Sequence, residues 1–155
     1  MRALHQWWLG KGGALGAPDR EALDPSELRS LLPNLLIAEA EHNPFRVRYR
    51  LIGTKVVEVT GLDITGRYLD ELLSAEPDQP WISHYRTVYD TQRPLLGSTI
   101  VPTSAGSMFT YEFGIFPLRN GGERVEQFIA VEDYFDLQST LIQVEPWRKK
   151  DERRL

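Results

Sequence analysis

Phe45-Arg46-Val47-Arg48-Tyr49-Arg50-Leu51 alternates strictly between an apolar side chain and an arginine. Successive side chains on a strand point to opposite faces, so a period of two predicts a half-buried strand. Phe45, Val47, Tyr49 and Leu51 fall on the inward face and the three arginines on the other. The preceding run, Leu35 to His42, predicts a partner strand, with Asn43-Pro44 as the turn. Placing His42 opposite Phe45 sets Glu41 against Arg46 and Glu39 against Arg48. Ala40 then meets Val47, Ala38 meets Tyr49, and Leu36 meets Leu51. Opposite charges share one face and apolar groups the other, and a slip of one residue scrambles both sets. Glu39 and Glu41 share a face as acid–base carboxylates do, but the facing arginines make structural ion pairs the expectation.

Downstream of Gly53 the period changes. Thr54 to Val59 predicts one or two helical turns ended by Gly61, and Tyr68 to Leu73 another short helix. Pro77 to Gln92 predicts a longer one, with Trp81, Ile82, Tyr85, Val88 and Tyr89 along one stripe. Arg93-Pro94 ends it. Leu95 to Val101, Ser107 to Leu118 and Arg124 to Leu137 are rich in Phe, Tyr, Val and Ile and predict strands, with Asn120-Gly121-Gly122 as a hairpin turn. Upstream, Leu4, Trp7 and Trp8 form the stripe of a short helix that Gly10, Gly12 and Gly13 end, and a flexible joint follows through Gly16, Ala17 and Pro18. A second short helix has Asp24 as N-cap, Pro25 at its first position, Glu27 completing a capping box, and Pro33 as its stop.

Two strands, a block of helices and three more strands imply an α+β fold with helices gathered on one side of an antiparallel sheet. Phe113-Gly114-Ile115-Phe116 and Phe128-Ile129-Ala130-Val131 are apolar on both alternating faces, so both faces of the sheet need cover. The Leu4/Trp7/Trp8 helix or a second subunit is the natural cover for the outer face.

The 155 residues allow one domain. Eighteen Lys and Arg against 22 Asp and Glu give a net charge of −4, which disfavours a nucleic-acid partner. No apolar run is long enough to span a bilayer, and Trp7-Trp8-Leu9 is too short for a secretory signal. The chain has no cysteine, which excludes disulfides, thiolate metal sites and cysteine nucleophiles and fits a cytoplasmic protein.

This layout resembles the PAS domain, and more narrowly a single-domain PAS family of alphaproteobacteria. The residues that carry the likeness are Trp8, Pro18, Arg20, Asp24-Pro25 and Leu32-Pro33, then Arg46 to Thr54 (Arg48 to Thr54 above all), Gly61 to Leu69, Pro94, and Phe116-Pro117-Leu118. The resemblance implies a five-stranded antiparallel sheet in the order 2-1-5-4-3, with short helices forming a pocket on one face and the N-terminal helix on the other. With the glycine-rich joint and the charge-dense end, the chain divides into an N-terminal helix and linker (1–16), the PAS-like domain (17–140) and a charged tail (141–155). The resemblance implies a sensory or regulatory role and no defined ligand. Gly53, Gly61 and Gly66 stand at element junctions that favour positive φ. Asp63 and Thr65 suit the turns between them. Arg67 either points into the pocket toward an anionic ligand or pairs with Asp70 or Glu71.

His5, His42 and His84 show no metal-ligand spacing, so no metal site is expected. His84 lies at the edge of the long helix's apolar stripe. Haem-binding PAS sensors use a histidine on the equivalent helix, but the surrounding motif does not match theirs, so haem is disfavoured. The light-sensing flavin type needs an adduct cysteine that this chain lacks, and the cofactor is left open. Gly10-Lys11-Gly12-Gly13 has no preceding strand and is no dinucleotide fingerprint. Ser104-Ala105-Gly106-Ser107 suits a strand-to-strand loop rather than a nucleophile elbow. Tyr49, Arg67, Trp81, His84, Tyr85, Tyr111, Phe113 and Phe128 are the candidate ligand-binding residues, with core filling as the alternative for the aromatics. No catalytic residue is assigned. The expectation is a stand-alone sensory module, homodimeric through the Trp7/Trp8 helix and the outer sheet face, that binds a small molecule or a separate signalling protein. The rival is a cone-shaped enzyme fold of the ketosteroid-isomerase kind, which needs a buried carboxylate base facing tyrosine donors and is separated from PAS by strand order.

Overall fold

The computed structural model describes residues 1–72, 80–103 and 105–135. The tail from 141 onward, the far ends of two expected helices (Leu73, and Pro77 to Gln79) and Ser104 lie outside the described residues. Five strands, β1 (Leu35–His42), β2 (Phe45–Ile52), β3 (Leu95–Pro102), β4 (Met108–Arg119) and β5 (Val125–Asp133), form one sheet in the order β2-β1-β5-β4-β3. Every pairing is antiparallel. This is the PAS strand order, and it decides against the cone-shaped alternative. β5 ends at Asp133, short of the expected Leu137. Three helices, α2 (Thr54–Thr60), α3 (Leu69–Leu72) and α4 (Pro80–Thr91), follow the first hairpin, and α1 (Arg2–Trp8) precedes it.

The β1–β2 register is as expected from His42↔Phe45 to Ala38↔Tyr49. A bulge then intervenes, so Ile37 pairs with Leu51 and Leu36 with Ile52. Leu36 therefore does not meet Leu51. The extra residue on β2 turns Leu51 outward, 46% exposed, and brings Ile52 to the core side. The facing ion pairs also differ. Glu39 pairs diagonally with Arg50 at 3.3 Å. Arg46 reaches sideways to Asp70 and Glu71 of α3 at 3.1 and 3.2 Å. Glu41 accepts a 2.6 Å bond from the Tyr68 hydroxyl, and Arg48 Nε donates to the Gly66 carbonyl. Arginine is long enough to leave its own strand pair, and α3 offers carboxylates beside the sheet.

The sheet separates two cores. Beneath the helices lie Ala38, Val47, Tyr49, Val56, Val59, Leu69, Tyr85, Val88, Phe113, Ile115, Phe128 and Ala130. On the other face Leu4, Trp8 and Leu28 pack on Leu35, Phe116, Leu118, Ile129 and Val131. Of the two candidates for covering the outer face, α1 does so within one chain. The Trp8 indole N–H donates to the Pro117 carbonyl at 2.9 Å. Leu4 and Trp8 are therefore consumed inside the chain, while Trp7 stays half-buried, its N–H donating to Glu27 at 2.8 Å.

Three local expectations change for physical reasons. Gly10 does not end α1. A π turn spans Leu9–Gly13, and only Gly12, at φ 97°, breaks it. The Ala17–Asp19 stretch is pinned rather than a free joint: Arg119 donates to the Ala17 and Pro18 carbonyls, and the Gly121 N–H to Asp19. The expected helix after Asp24 is a chain of turns. The Asp24 carboxylate accepts from the Ser26 N–H, and Glu27 leaves the capping box for Trp7 and Lys11.

Gly61 and Gly66 have positive φ, but Gly53 sits at φ −65°. Its constraint is space: a Cβ there would lie 2.3 Å from the Pro33 carbonyl oxygen, which is backbone and cannot swing aside. Gly53→Ala is expected to cost about 1–3 kcal/mol through overpacking, read as a lower urea midpoint at unchanged slope. An unshifted midpoint would mean that the turn between β2 and α2 is looser than described.

Candidate functional site

The inner face of the sheet carries an unusual concentration of hydroxyls. Tyr49 comes from the middle of β2, Tyr111 from β4, Tyr85 from α4, and Tyr134 from the residue after β5's end. All four are buried. Tyr85 sets its ring edge-on to Tyr49 at 6.4 Å between centroids and to Phe128 at 5.0 Å, and Tyr111 and Tyr134 lie 5.0 Å apart. Among them stands Glu132. Phe128, Ala130 and Glu132 share one face of β5 by the two-residue period, so the strand delivers a carboxyl to an otherwise apolar surface. The Asn34 amide holds the Glu132 backbone carbonyl at 2.7 Å, and the Tyr134 hydroxyl donates to the Glu132 carboxyl.

Burial pushes the Glu132 carboxyl up to about 7 from its ordinary 4.5, with the Tyr134 hydrogen bond pulling weakly the other way. Burial first, and then the Tyr85 phenol and the Glu132 charge, drive Tyr49 well upward. Tyr85 rises through burial, Tyr111 and Tyr134 through burial and then the Glu132 charge. At neutral pH the tyrosines are therefore donors, grouped around a carboxyl near its midpoint. Such an arrangement offers hydroxyl donors and one carboxyl that can take up and release a proton.

Tyr49, Tyr85, Tyr111 and Phe128 come together in the inner core, and Phe113 adjoins them there. Trp81, His84 and Phe113 make a second group. Trp81 meets Phe113 at 4.9 Å, and the His84 ring stacks on Phe113 at 5.3 Å. Partial burial lowers the affinity of His84 for a proton. No group of His, Asp and Glu suited to a metal occurs among the described residues. Arg67 does not enter the site and is not paired with Asp70 or Glu71, a role Arg46 fills. Its side chain is exposed, and its carbonyl accepts the Tyr49 N–H at 2.9 Å, clamping the edge of β2. Glu132 and Tyr134 are the residues that sequence reasoning missed. Their signal is parity: an acid on the inward phase of the most apolar strand.

A family model described as PAS domain matches residues 1–131. Among solved structures, the chain is similar to a light-oxygen-voltage domain studied with a flavin analogue. Identity is 17% over 72% of this chain and 83% of that one, with a TM-score of 0.53. It is also similar to the dark structure of the blue-light photoreceptor Aureochrome1 LOV, at 16% identity over 70% and 80%, with a TM-score of 0.52. At these identities the likeness speaks for the fold alone. No curated protein matches.

Proposed function

The chain belongs to the PAS domain family, and on that premise we propose that it is a sensory module whose helix-covered face binds a small molecule of mixed apolar and polar character. One observation carries this reading: Tyr49, Tyr85, Tyr111, Tyr134 and Glu132 converge on a face that the fold needs only to be apolar. No buried side-chain polar atom among the described residues lacks a hydrogen-bond partner, so the hydroxyls and the carboxyl form a satisfied network that suits a ligand of mixed character. The aromatics Trp81, Phe113 and Phe128 supply the apolar wall, and His84 closes its edge. The role is regulatory rather than catalytic. Output passes to a separate protein or a second copy, through a change in which of two packings the ligand favours.

Native mass spectrometry with an absorption spectrum of freshly purified protein tests this. The expected result is a non-covalent mass increment that denaturation removes and that Glu132→Gln reduces severalfold. A bare polypeptide mass, together with no thermal stabilisation across a library of small carboxylates, phenols and amines, would refute it. A Soret band would move the binding role to His84.

A further inference from the structure

The two edges of the sheet are built on opposite plans. β2 carries Arg46, Arg48 and Arg50, and its outer side is partly closed by the Tyr49–Arg67 and Gly66–Tyr49 backbone bonds. Charge and cover of this kind stop an edge from pairing with another chain. β3 has neither device. It spans Leu95–Pro102, carries no charged residue, pairs on one side with β4, and shows no backbone bond on its other side among the described residues. Leu96 and Ile100 point outward at 48% and 62% exposure.

The sequence around this edge reads nearly the same in both directions. Pro94-Leu95-Leu96-Gly97-Ser98-Thr99-Ile100-Val101-Pro102 is centred on Ser98. Leu95 mirrors Val101, Leu96 mirrors Ile100, Gly97 mirrors Thr99, and the prolines bracket both ends. A two-fold axis perpendicular to the sheet keeps each face on its own side, so opposed residues must be of like parity. An axis through Ser98 meets that condition. It sets exposed Leu96 against Ile100 of a second copy, and core-side Leu95 against Val101, both of which flank the inner core. It also places Pro94 opposite Pro102, where the missing N–H groups end the inter-chain ladder. The Thr103 N–H bonds toward β4, so Leu96, Ser98 and Ile100 are the residues whose backbone groups face the second copy.

We propose that the β3 edge is a self-pairing surface, and that two copies of this chain join antiparallel β3 strands about Ser98 into one continuous sheet. The interface is isologous, as closed dimers require. It leaves α1 and the outer face in place, and it does not depend on the inner-face ligand.

The chain has no cysteine, so Ser98→Cys introduces a single thiol on the axis. Directly opposed Cα atoms in an antiparallel pair lie about 4.5–5.5 Å apart, within disulfide reach. Under mild oxidation Ser98→Cys is expected to form a covalent dimer at least roughly tenfold faster than Arg124→Cys on the exposed β4–β5 turn, because pairing raises the effective thiol concentration. Light scattering is expected to give twice the 17.8 kDa chain mass for the wild type and the single mass for a Leu96→Lys/Ile100→Lys variant that melts at the same temperature. A monomeric wild type at its highest soluble concentration overturns the proposal. So does a double-lysine variant that remains dimeric, or equal cross-linking of the two thiols. If the lysine variant fails to fold, the cross-linking ratio alone decides.

Discussion

Trp8→Ala is expected to lower the unfolding free energy by about 3–5 kcal/mol, the range for removing a large buried aromatic. The indole is 3% exposed, lies 6.2 Å from the Phe116 ring, and satisfies the Pro117 carbonyl, which the alanine would leave unpaired. Nothing nearby refills the space. Gly13 passes so close that a Cβ would overlap the ring, and its lack of a side chain is what admits the indole. Trp8→Phe is expected to recover most of the packing and to retain a deficit of about 1–3 kcal/mol from the orphaned carbonyl. Urea titrations of the three proteins provide the measurement. A loss below about 1 kcal/mol for the alanine variant would mean that α1 does not cover the outer face in solution.

Glu132→Gln is expected to abolish a decline in stability between pH 4.5 and about 7. The native carboxyl holds its proton up to about 7, against 4.5 ordinarily. Below the lower value both folded and unfolded chains are protonated, and the group costs nothing. Between the two values the unfolded chain ionises while the native chain does not, so stability falls as pH rises, and it levels off above the upper value. At 1.36 kcal/mol per pH unit the full decline is about 3 kcal/mol. The glutamine variant, neutral throughout, should match the wild type at pH 4 and exceed it by about that amount at pH 8. Its amide oxygen still accepts from Tyr134. Parallel stability profiles for the two proteins from pH 4 to 8 would show that the carboxyl is not held in the apolar interior.

What was legible in the chain followed from local periodicity. The alternation of Phe45 to Leu51 and its charge match with Leu35 to His42 placed five of the observed residue pairs, and the doubly apolar segments of β4 and β5 foretold a sheet covered on both sides. The strand order came from family resemblance, because periodicity says which residues share a face and not which strands are neighbours. The failures cluster where a side chain or turn had a distant alternative. Glu27 left its cap for Trp7 and Lys11, and Arg46 left Glu41 for α3. The bulge at Arg50 leaves no mark in the two-residue alternation, and the close passage of Gly53 over Pro33 joins segments some twenty residues apart. Arg67 drew attention as a charge in a motif, yet it contributes a carbonyl. Glu132 obeys the same parity that places Tyr49, one position beyond the apolar run that ends at Val131.

β5 is the wall shared by two chambers. Phe128 and Ala130 press on one chamber, Ile129 and Val131 on the other, and adjacent peptide units tie them together. Close-packed interiors transmit displacement rather than absorb it. A change of volume on the tyrosine side would therefore be felt across the strand by Leu4 and Trp8 in the first two turns of the chain.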